Sequence, residues 1–268
     1  MEKLQVLVAT MHRADLSLAE QMNIDCAAVL ANQADREEVQ SLNRPCGTVQ
    51  MITTRTRGVG LNRNIALRAA TAELLLLADD DVVYYDGLSE GVIRAFRENP
   101  QADVLIFGMD ITKEGKVVSK RRPPQKRLRT FNALRYGTYT IALRREALLR
   151  AALSFHLCFG GGCIYSAGED SLFLRDCFRK GLKVYGSSYV LGTCAKDTST
   201  WFTAYHEKYF YDKGALVRHL FPRCPYLMAP YFAIRFKRET SLGVWQRLKL
   251  VFRGVRGGKK LLPYEKTL

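Results

Sequence analysis

The chain has 268 residues, of which 47% are hydrophobic and 25% are charged. This length and composition suit one large domain, or a domain of about 200 residues with an appendage, and they exclude a wholly disordered chain. No run approaches the roughly 20 apolar residues of a membrane-spanning helix, and the N-terminal residues lack the pattern of a signal peptide. The seven cysteines are scattered without a CxxC pair, which indicates reduced thiols in a cytosolic protein.

The net charge of +15 is unevenly distributed along the chain. Residues 1–119 carry 12 basic and 17 acidic residues, whereas residues 120–150 carry 10 and 1, and residues 201–268 carry 14 and 4. An acidic N-terminal half beside two basic segments indicates a polyanionic partner that touches only part of the molecule. A membrane surface, a phosphorylated substrate and nucleic acid all fit this pattern.

Short, uniformly apolar runs separated by helical stretches predict buried parallel strands in an α/β sheet. These runs are residues 4–9, 27–30, 49–53 and 74–77, and further strands are predicted at residues 82–85, 104–109, 136–143 and 184–191. The predicted helices are residues 15–22, 35–42, 60–71, 87–98, 144–153 and 171–180. Residues 113–116 predict a hairpin turn, and the basic, proline-containing residues 119–130 predict a loop.

Polar side chains follow three of the predicted strands. Thr10 follows the first, Asn32 the second, and Asp79 to Asp81 the run at residues 74–77. Because ligands of such sheets bind beyond the carboxyl ends of the parallel strands, we expect these side chains to converge on one cleft.

The three consecutive aspartates repel one another unless a cation neutralises them. Mg²⁺ and Mn²⁺ are hard cations that take carboxylate and phosphate oxygens as ligands. One carboxylate at such a strand end can hold the metal while another reaches a nucleotide ribose or the same metal, and the metal takes up the charge of a departing diphosphate. A solvated acidic turn or a helix cap is the alternative, but a cap needs one carboxylate and not three.

A second acidic site, Glu169-Asp170, stands at the start of the predicted helix at residues 171–180. Free amides and the helix dipole stabilise a carboxylate there, so capping alone would explain the pair. The flexible segment Gly160 to Gly162 upstream favours an acceptor-binding loop, in which one carboxylate acts as general base on an attacking hydroxyl.

Asn62, Arg63 and Asn64 lie at the start of the predicted helix at residues 60–71, after Gly58 and with Gly60 as its first residue. These glycines lack the spacing of a phosphate-binding fingerprint. The three polar residues at the helix start can nevertheless contact a nucleotide or its phosphates.

Four motifs occur together in a characteristic order: Asn32-Gln-Ala-Asp35, Gly58-Val-Gly-Leu-Asn-Arg63-Asn64, Leu75-Leu-Leu-Ala-Asp-Asp-Asp81, and Gly168-Glu-Asp170 before a Leu/Phe helix. The pattern closely resembles family 2 glycosyltransferases with the glycosyltransferase-A fold, of the bacterial surface-polysaccharide type. The resemblance covers residues 4–215, including Thr198-Ser-Thr-Trp201 and the segment at residues 205–214. It implies an α/β fold with a Rossmann-like, mostly parallel sheet flanked by helices. We expect a catalytic domain over residues 1–215 and a basic helical extension over residues 216–268.

The resemblance also implies the donor site. Asp79 would contact the ribose, and Asp81, with Asp79, would hold Mn²⁺ or Mg²⁺ against the diphosphate of a donor that is most commonly a UDP-sugar. Thr10 and Asn32 would lie against the nucleotide base. The donor-binding residues implied in this way are Thr10, Asn32, Arg63, Asn64, Asp79 and Asp80.

The implied reaction is a single displacement that inverts the sugar. Asp170 would be the catalytic base, and Glu169 would position the acceptor hydroxyl of a glycan or a polyprenyl-diphosphate-linked saccharide. The acceptor oxygen attacks the anomeric carbon opposite the nucleotide diphosphate, and the reaction needs no covalent enzyme intermediate.

The sequence departs from the family pattern at one position. Many relatives carry a metal-binding histidine a few residues before the Ser-Thr-Trp motif, where this chain has Thr193-Cys-Ala-Lys196. A charged lysine does not bind a metal, but Lys196 can neutralise a diphosphate. Either His206 supplies the missing ligand, or Asp81 and the phosphates hold the metal alone.

The C-terminal quarter contains a basic amphipathic segment at residues 242–256. At about 100° per residue, one face carries Trp245, Val251 and Val255, and the other carries Arg247 and Lys249. Basic helices with aromatic residues bind membrane interfaces, so we expect a peripheral protein on the inner face of the cytoplasmic membrane. A helix packed on the domain with a solvated basic face is the alternative.

Two other classes of protein share parts of this pattern. A nucleic-acid-binding protein would explain the charge, but no known binding motif is present and the acidic N-terminal half would repel phosphates. A sugar nucleotidyltransferase also uses clustered aspartates on an α/β sheet, but it would release pyrophosphate and would not need Glu169-Asp170.

Overall fold

The computed structural model describes residues 3–195, 205–235 and 240–267. The strands are β1 (Leu4–Met11), β2 (Ala27–Gln33), β3 (Glu38–Arg44), β4 (Gly47–Thr54), β5 (Leu74–Asp79), β6 (Val82–Tyr84), β7 (Val104–Lys113), β8 (Lys116–Arg121), β9 (Ile141–Arg144) and β10 (Val184–Ala195). The helices are α1 (Leu18–Gln21), α2 (Val59–Ala69), α3 (Leu88–Glu98), α4 (Thr130–Ala133), α5 (Arg145–Arg150), α6 (Glu169–Arg179), α7 (Glu207–Leu220), α8 (Pro225–Arg235) and α9 (Val244–Gly258).

The strands form one sheet in the order β3-β4-β2-β1-β5-β9-β7-β10-β6, with β8 beside β7. The run β4-β2-β1-β5 is parallel, as the buried apolar runs predict, and β7 and β10 form a second parallel pair. The other neighbours, including β9 between β5 and β7, pair antiparallel.

Both faces of the sheet are covered, which explains why its central strands are apolar throughout. On β5, Leu74 and Leu76 pack in one core with α1 and α3. Leu75 and Leu77, which alternate with them, pack in a second core with α2, α5 and α6. A strand buried on both sides needs an apolar residue at every position, and this requirement makes β1, β2 and β5 visible in the sequence.

The predicted helix at residues 35–42 is wrong, because this segment forms the edge strand β3. It pairs antiparallel with β4 from Glu38 to Arg44, and most of its side chains are exposed. Gly47 closes the turn at φ +133°, and a Cβ there would lie 2.6 Å from the amide nitrogen of Ala27. Hydrogen bonds to a neighbouring strand override the helix-favouring residues Arg36, Glu37 and Glu38.

Three further segments differ in detail from the prediction. The hairpin turn at residues 113–116 is confirmed, but β8 extends it to Arg121, so residues 119–121 are strand and not loop. All six side chains of β8 are exposed. The rest of the predicted loop runs along β10, where the amide of Leu128 donates to the carbonyl of Val184 at 2.8 Å. The predicted strand at residues 136–143 is a 3-10 turn at Thr138–Thr140 followed by β9.

The chain divides into two compact units. The first runs through Arg57, resumes from Leu61 to Phe155, and resumes again from Phe173; it contains the sheet. The second comprises Gly58–Gly60, His156–Leu172 and the C-terminal helices α7, α8 and α9. Residues 215 and 216 both lie within α7, and the predicted division there into a catalytic domain and an extension stays a prediction.

The helices α7 and α9 approach each other closely because both carry glycines at their contact. A Cβ on Gly214 would lie 2.0 Å from the carbonyl oxygen of Val251, and one on Gly254 would lie 1.9 Å from that of Tyr211. The same contact buries Arg247, which is 3% exposed, so its predicted place on a solvated face is wrong. Within the described residues, no helix has both the length and the apolarity that crossing a bilayer requires.

Candidate active site

The first unit brings the predicted donor residues together at the carboxyl ends of adjacent parallel strands. In the sheet register Thr10 of β1 lies beside Asn32 of β2, and Ala9 lies beside Asp79, the last residue of β5. The Thr10 hydroxyl donates a hydrogen bond of 2.6 Å to the Asp80 carboxylate. The convergence expected from the strand ends is therefore present in the structure.

Two arginines contact the aspartates, and only one of them stood out in the sequence. Arg63 on α2 forms an ion pair of 2.5 Å with Asp79. Arg13, just beyond β1, lies 3.4 Å from Asp80 and donates through Nε to the Thr10 hydroxyl at 3.3 Å. Arg13 was missed because its only sequence signal is a cation three residues after a strand-end threonine.

Asn32 and Asn64 direct their amides to the backbone. Asn32 is fully buried and donates to the Arg13 carbonyl at 2.9 Å, while the Arg13 amide donates back to it at 3.0 Å. Asn64 exchanges two hydrogen bonds, of 2.7 and 2.9 Å, with the backbone of Phe155. These contacts shape the loops around the strand ends, and a direct contact of either residue with a nucleotide stays a prediction.

Asp81 lies in surroundings that disfavour the charged form of a carboxylate. Burial, followed by the negative charges of Asp79 and Asp80, raises the pKa of Asp81 to about 6. A carboxylate in such a field binds a cation favourably, because the cation removes the repulsion that raises the pKa. The residues present therefore fit a divalent metal at Asp81. Within the described chain, however, no three histidine, cysteine or acidic side chains cluster around one point.

The second unit holds the other acidic motif at the first turn of α6. The Gly168 amide donates to Glu169 Oε2 at 3.0 Å, and the Ser171 amide donates to Asp170 Oδ1 at 2.8 Å. Gly160, at φ +104°, leaves room for Glu169, since a Cβ there would lie 2.8 Å from the carboxyl carbon of Glu169. Both carboxylates thus accept backbone amides at the start of the helix, and Gly160 of the glycine segment lies beside Glu169.

Asp212 of α7 forms hydrogen bonds with the segment that precedes Glu169 and Asp170. It is 4% exposed and accepts hydrogen bonds from the Ser166 amide at 3.0 Å and the Ser166 hydroxyl at 2.6 Å. Lys208, one turn earlier, contacts it at 2.8 Å and also donates to the Ile164 carbonyl at 3.0 Å. Sequence reasoning missed Asp212, whose only local signal is a Lys-Asp pair at i, i+4 on a helix.

Two tyrosines and a lysine lie near this segment. The hydroxyls of Tyr165 and Tyr211 both donate to the Leu262 carbonyl, at 3.0 and 2.9 Å. Burial lowers the pKa of Lys213, although the carboxylates of Asp170 and Glu169 act in the opposite direction. Lys213 thus places a cation in the electrostatic environment of both predicted catalytic carboxylates.

The structure describes only one of the two residues predicted to act in place of the missing histidine, His206 and not Lys196. His206 caps α7, where its Nδ1 accepts a hydrogen bond from the Tyr209 amide at 3.3 Å. Its service as a metal ligand stays a prediction. Lys196 lies outside the described residues, as does Thr198-Ser-Thr-Trp201.

The family model described as glycosyl transferase family 2 matches residues 9–166. No curated protein matches the sequence.

Among solved structures, the chain is similar to residues 1–349 of S. aureus TarS in complex with UDP-GlcNAc, with a TM-score of 0.67 and 15% identity over 99% of this chain and 82% of that one. The corresponding complex with UDP has a TM-score of 0.58 and 14% identity, over 96% of this chain and 72% of that one. A third structure is the mannosyltransferase PcManGT from Pyrobaculum calidifontis in complex with GDP-Man and Mn²⁺. Its TM-score is 0.51 and its identity 14%, over 95% of this chain and 86% of that one. These likenesses show a shared glycosyltransferase-A fold.

Proposed function

The chain belongs to glycosyl transferase family 2, and from this premise we propose that it transfers a sugar from a nucleoside diphosphate sugar, with UDP as the nucleotide, to an acceptor hydroxyl with inversion. The observation that carries the proposal is the cluster of Asp79, Asp80 and Asp81 with Arg13 and Arg63 at the ends of β1 and β5.

The charges of this cluster suit a metal-bound diphosphate. When ionised, the three carboxylates carry three negative charges, and the two arginines supply two positive charges, so the cluster alone would repel an anion. A divalent cation reverses the sign of the site and makes diphosphate binding favourable. We therefore assign Mn²⁺ or Mg²⁺ to Asp81 and Asp79, with Lys196 and His206 as further candidates for the phosphates and the metal.

The donor would be held by the residues around this cluster. Asp79, oriented by Arg63, would meet the ribose, and Thr10 would lie near the nucleotide base. Arg13 joins them as a residue that fixes Asp80 and Thr10. When bound, the divalent cation stabilises the charge of the departing diphosphate.

The transfer step would use the acidic pair at the start of α6. Asp170 accepts the proton of the acceptor hydroxyl while the hydroxyl oxygen forms a bond to the anomeric carbon. The bond from that carbon to the diphosphate oxygen breaks, and the nucleoside diphosphate leaves with the electron pair. Glu169 holds the acceptor hydroxyl in the attacking position, and Asp212 keeps the segment before the pair in place.

We propose a glycan or a polyprenyl-diphosphate-linked saccharide as the acceptor, in the synthesis of a surface polysaccharide at the inner face of the cytoplasmic membrane. The support is electrostatic. The net charge of +15 is concentrated in residues 120–150 and the C-terminal quarter, and it favours an anionic acceptor and an anionic surface.

Release of nucleoside diphosphate from a panel of nucleotide sugars, with and without Mn²⁺, tests the proposal. We expect Mn²⁺-dependent release of UDP from at least one UDP-sugar. Asp170→Asn should abolish transfer and leave UDP binding intact. Asp176→Asn, the same change six residues later in the same helix, is the matched control.

Two results would overturn the proposal. Release of pyrophosphate in place of UDP would identify a nucleotidyltransferase. Failure to use any donor, together with unchanged nucleotide binding in Asp81→Ala, would remove the assignment of the aspartate cluster.

A further inference from the structure

The C-terminal helix whose sequence suggests a membrane anchor buries most of its apolar face, although Trp245 near its start is 77% exposed. Val251 and Val255 of α9 are 0 and 1% exposed and pack in one cluster with Phe210 and Val217 of α7. Side chains that fill a protein core are not available to a lipid surface. A membrane contact by this region therefore needs apolar residues beyond Trp245.

Helix α8 presents such residues. Leu227, Tyr231 and Ile234 are 78, 52 and 51% exposed, and Tyr226 is 50% exposed. The spacing of residues 227, 231 and 234 places them on one side of the helix, whereas Ala229 and Ala233 are fully buried in the core with α9. We call Leu227, Tyr231 and Ile234 the α8 face.

Basic residues stand at both ends of the α8 face. Arg223 precedes the helix and is exposed, and Arg235 ends it. The Arg235 guanidinium lies over the Tyr231 ring at 5.7 Å and donates to the Tyr231 hydroxyl at 2.5 Å. The sequence from residue 221 to residue 264 contains ten basic residues and a single acidic one, Glu239.

We propose that the α8 face docks on an anionic lipid surface, with α8 lying along the membrane plane. The helix has 11 residues and is about 16 Å long, so it is too short to cross a bilayer and suits the interface. A tyrosine beside aliphatic side chains suits the headgroup boundary, and arginines at the helix ends meet lipid phosphates. Charge complementarity selects an anionic lipid as the occupant of this face. The inference rests on the proposed function only for its biological purpose, which is access to a membrane-borne acceptor.

Binding of the full-length protein to lipid vesicles tests this assignment. The vesicles are phosphatidylcholine alone and phosphatidylcholine mixed with phosphatidylglycerol. We expect binding to the mixed vesicles that weakens as salt is raised. The double variant Leu227→Gln/Ile234→Gln removes two exposed aliphatic side chains and should lower the partition coefficient at least about tenfold.

The matched control is Val39→Gln/Leu42→Gln, which removes two aliphatic side chains of β3 that are 64 and 47% exposed in the first unit. This control should bind vesicles as the wild type does. UDP release measured without vesicles should be equal in all three proteins. Loss of vesicle binding with UDP release retained supports the inference independently of the proposed function.

Three results would overturn the inference. The wild type fails to bind the mixed vesicles, or the α8 double variant binds as well as the wild type. Alternatively, sedimentation shows that the double variant dissociates an oligomer while vesicle binding is unchanged, in which case the face is an interface between copies.

Discussion

The three aspartates after β5 have unequal surroundings, although they are adjacent in sequence. Asp79 is paired with Arg63 and Asp80 with Arg13, so each of these two carboxylates lies beside a protein cation. Asp81 instead has its pKa raised to about 6, with burial as the largest cause. The cluster therefore contains two carboxylates fixed by protein cations and one whose charge is costly without an added cation.

Replacing Asp81 by asparagine should stabilise the metal-free protein at neutral pH. Because the pKa of Asp81 is about 6 in the folded protein and near 3.8 when unperturbed, folding favours its protonated form. Its contribution to stability is fully present below pH 3.8 and is lost as pH rises through about 6. Since asparagine stays neutral, we expect Asp81→Asn to be more stable than the wild type above pH 6, by at most about 3 kcal/mol.

Denaturant unfolding at pH 5 and pH 7.5 in the presence of a chelator measures this difference. The gain should shrink at the lower pH, and UDP with Mn²⁺ should stabilise the wild type more than the variant. Equal stability of the two proteins at pH 7.5 would contradict the assigned environment of Asp81.

At Asp212 the expected effect falls on turnover and not on donor affinity. Asp212→Asn keeps the size of the side chain but removes the charge that holds Ser166 and Lys208. Small displacements of a catalytic group cost up to about a hundredfold in rate, so we expect kcat to fall by about 10- to 100-fold. The KM for the donor should change less than about twofold, because the donor aspartates lie in the first unit.

A double-mutant cycle with Ser166→Ala separates this role from general destabilisation. If Asp212 acts through Ser166, the two substitutions together should lower kcat little more than Asp212→Asn alone. Fully additive effects on kcat would speak against positioning through Ser166.

At the scale of helices, the tight contact of α7 with α9 depends on glycine. Gly254→Ala would bring a Cβ to 1.9 Å from the Tyr211 carbonyl oxygen, so the two helices must separate. Overpacking of this kind costs about 1–3 kcal/mol. Because Tyr211 and Asp212 lie on the displaced helix, kcat should also fall, and both effects can be measured by thermal unfolding and by assay.

Gly243→Ala is the matched control for this prediction. Gly243 has φ −63°, and the nearest atom to an added Cβ is Gln246 Oε1 at 3.6 Å. We expect a stability change of less than about 1 kcal/mol there. Equal losses of stability from Gly254→Ala and Gly243→Ala would contradict the prediction, because they would show that α7 and α9 accommodate the added methyl group.

The sequence predicts those elements whose buried residues form a pattern within a short stretch of the chain. Strand β5 is readable because both of its faces are covered, so the apolar run ends abruptly at Asp79. Strand β3 is unreadable because it has no buried face: Val39 and Leu42 are 64 and 47% exposed, and only its hydrogen bonds to β4 define it. Those bonds depend on the fold of the whole chain and leave no periodic trace.

The same distinction applies to the candidate site. Consecutive aspartates and the Gly168-Glu169-Asp170 motif are contiguous, so they could be found without a structure. The contact of Arg13 with Asp80 joins residues 67 positions apart, and that of Asp212 with Ser166 joins residues 46 positions apart. Residues that support a site from distant segments become visible only when the fold brings them together.

At the scale of the whole molecule, the two units carry different parts of the proposed reaction. The donor aspartates belong to the first unit, and Glu169, Asp170 and the C-terminal helices belong to the second. We expect UDP with Mn²⁺ to slow amide hydrogen exchange at the ends of β1, β2 and β5. The same ligand should leave exchange in α8 and α9 unchanged.

Exchange followed by mass spectrometry in the wild type and in Asp81→Ala checks this division. The protection should disappear in the variant. Protection that appears first in α8 and α9 would show that the nucleotide binds the second unit, which would contradict the prediction.

The exposed strand β8 has a consequence for the colloidal behaviour of the protein. It pairs only with β7 among the described strands, and its six side chains include Lys116, Lys120 and Arg121 beside the exposed Val117 and Val118. Lysines on an open edge keep identical edges apart by repulsion, while the valines would favour their association. Polyvalent anions that screen these charges should therefore bring copies together edge to edge, so light scattering should rise in sulfate or phosphate but not in chloride of equal ionic strength.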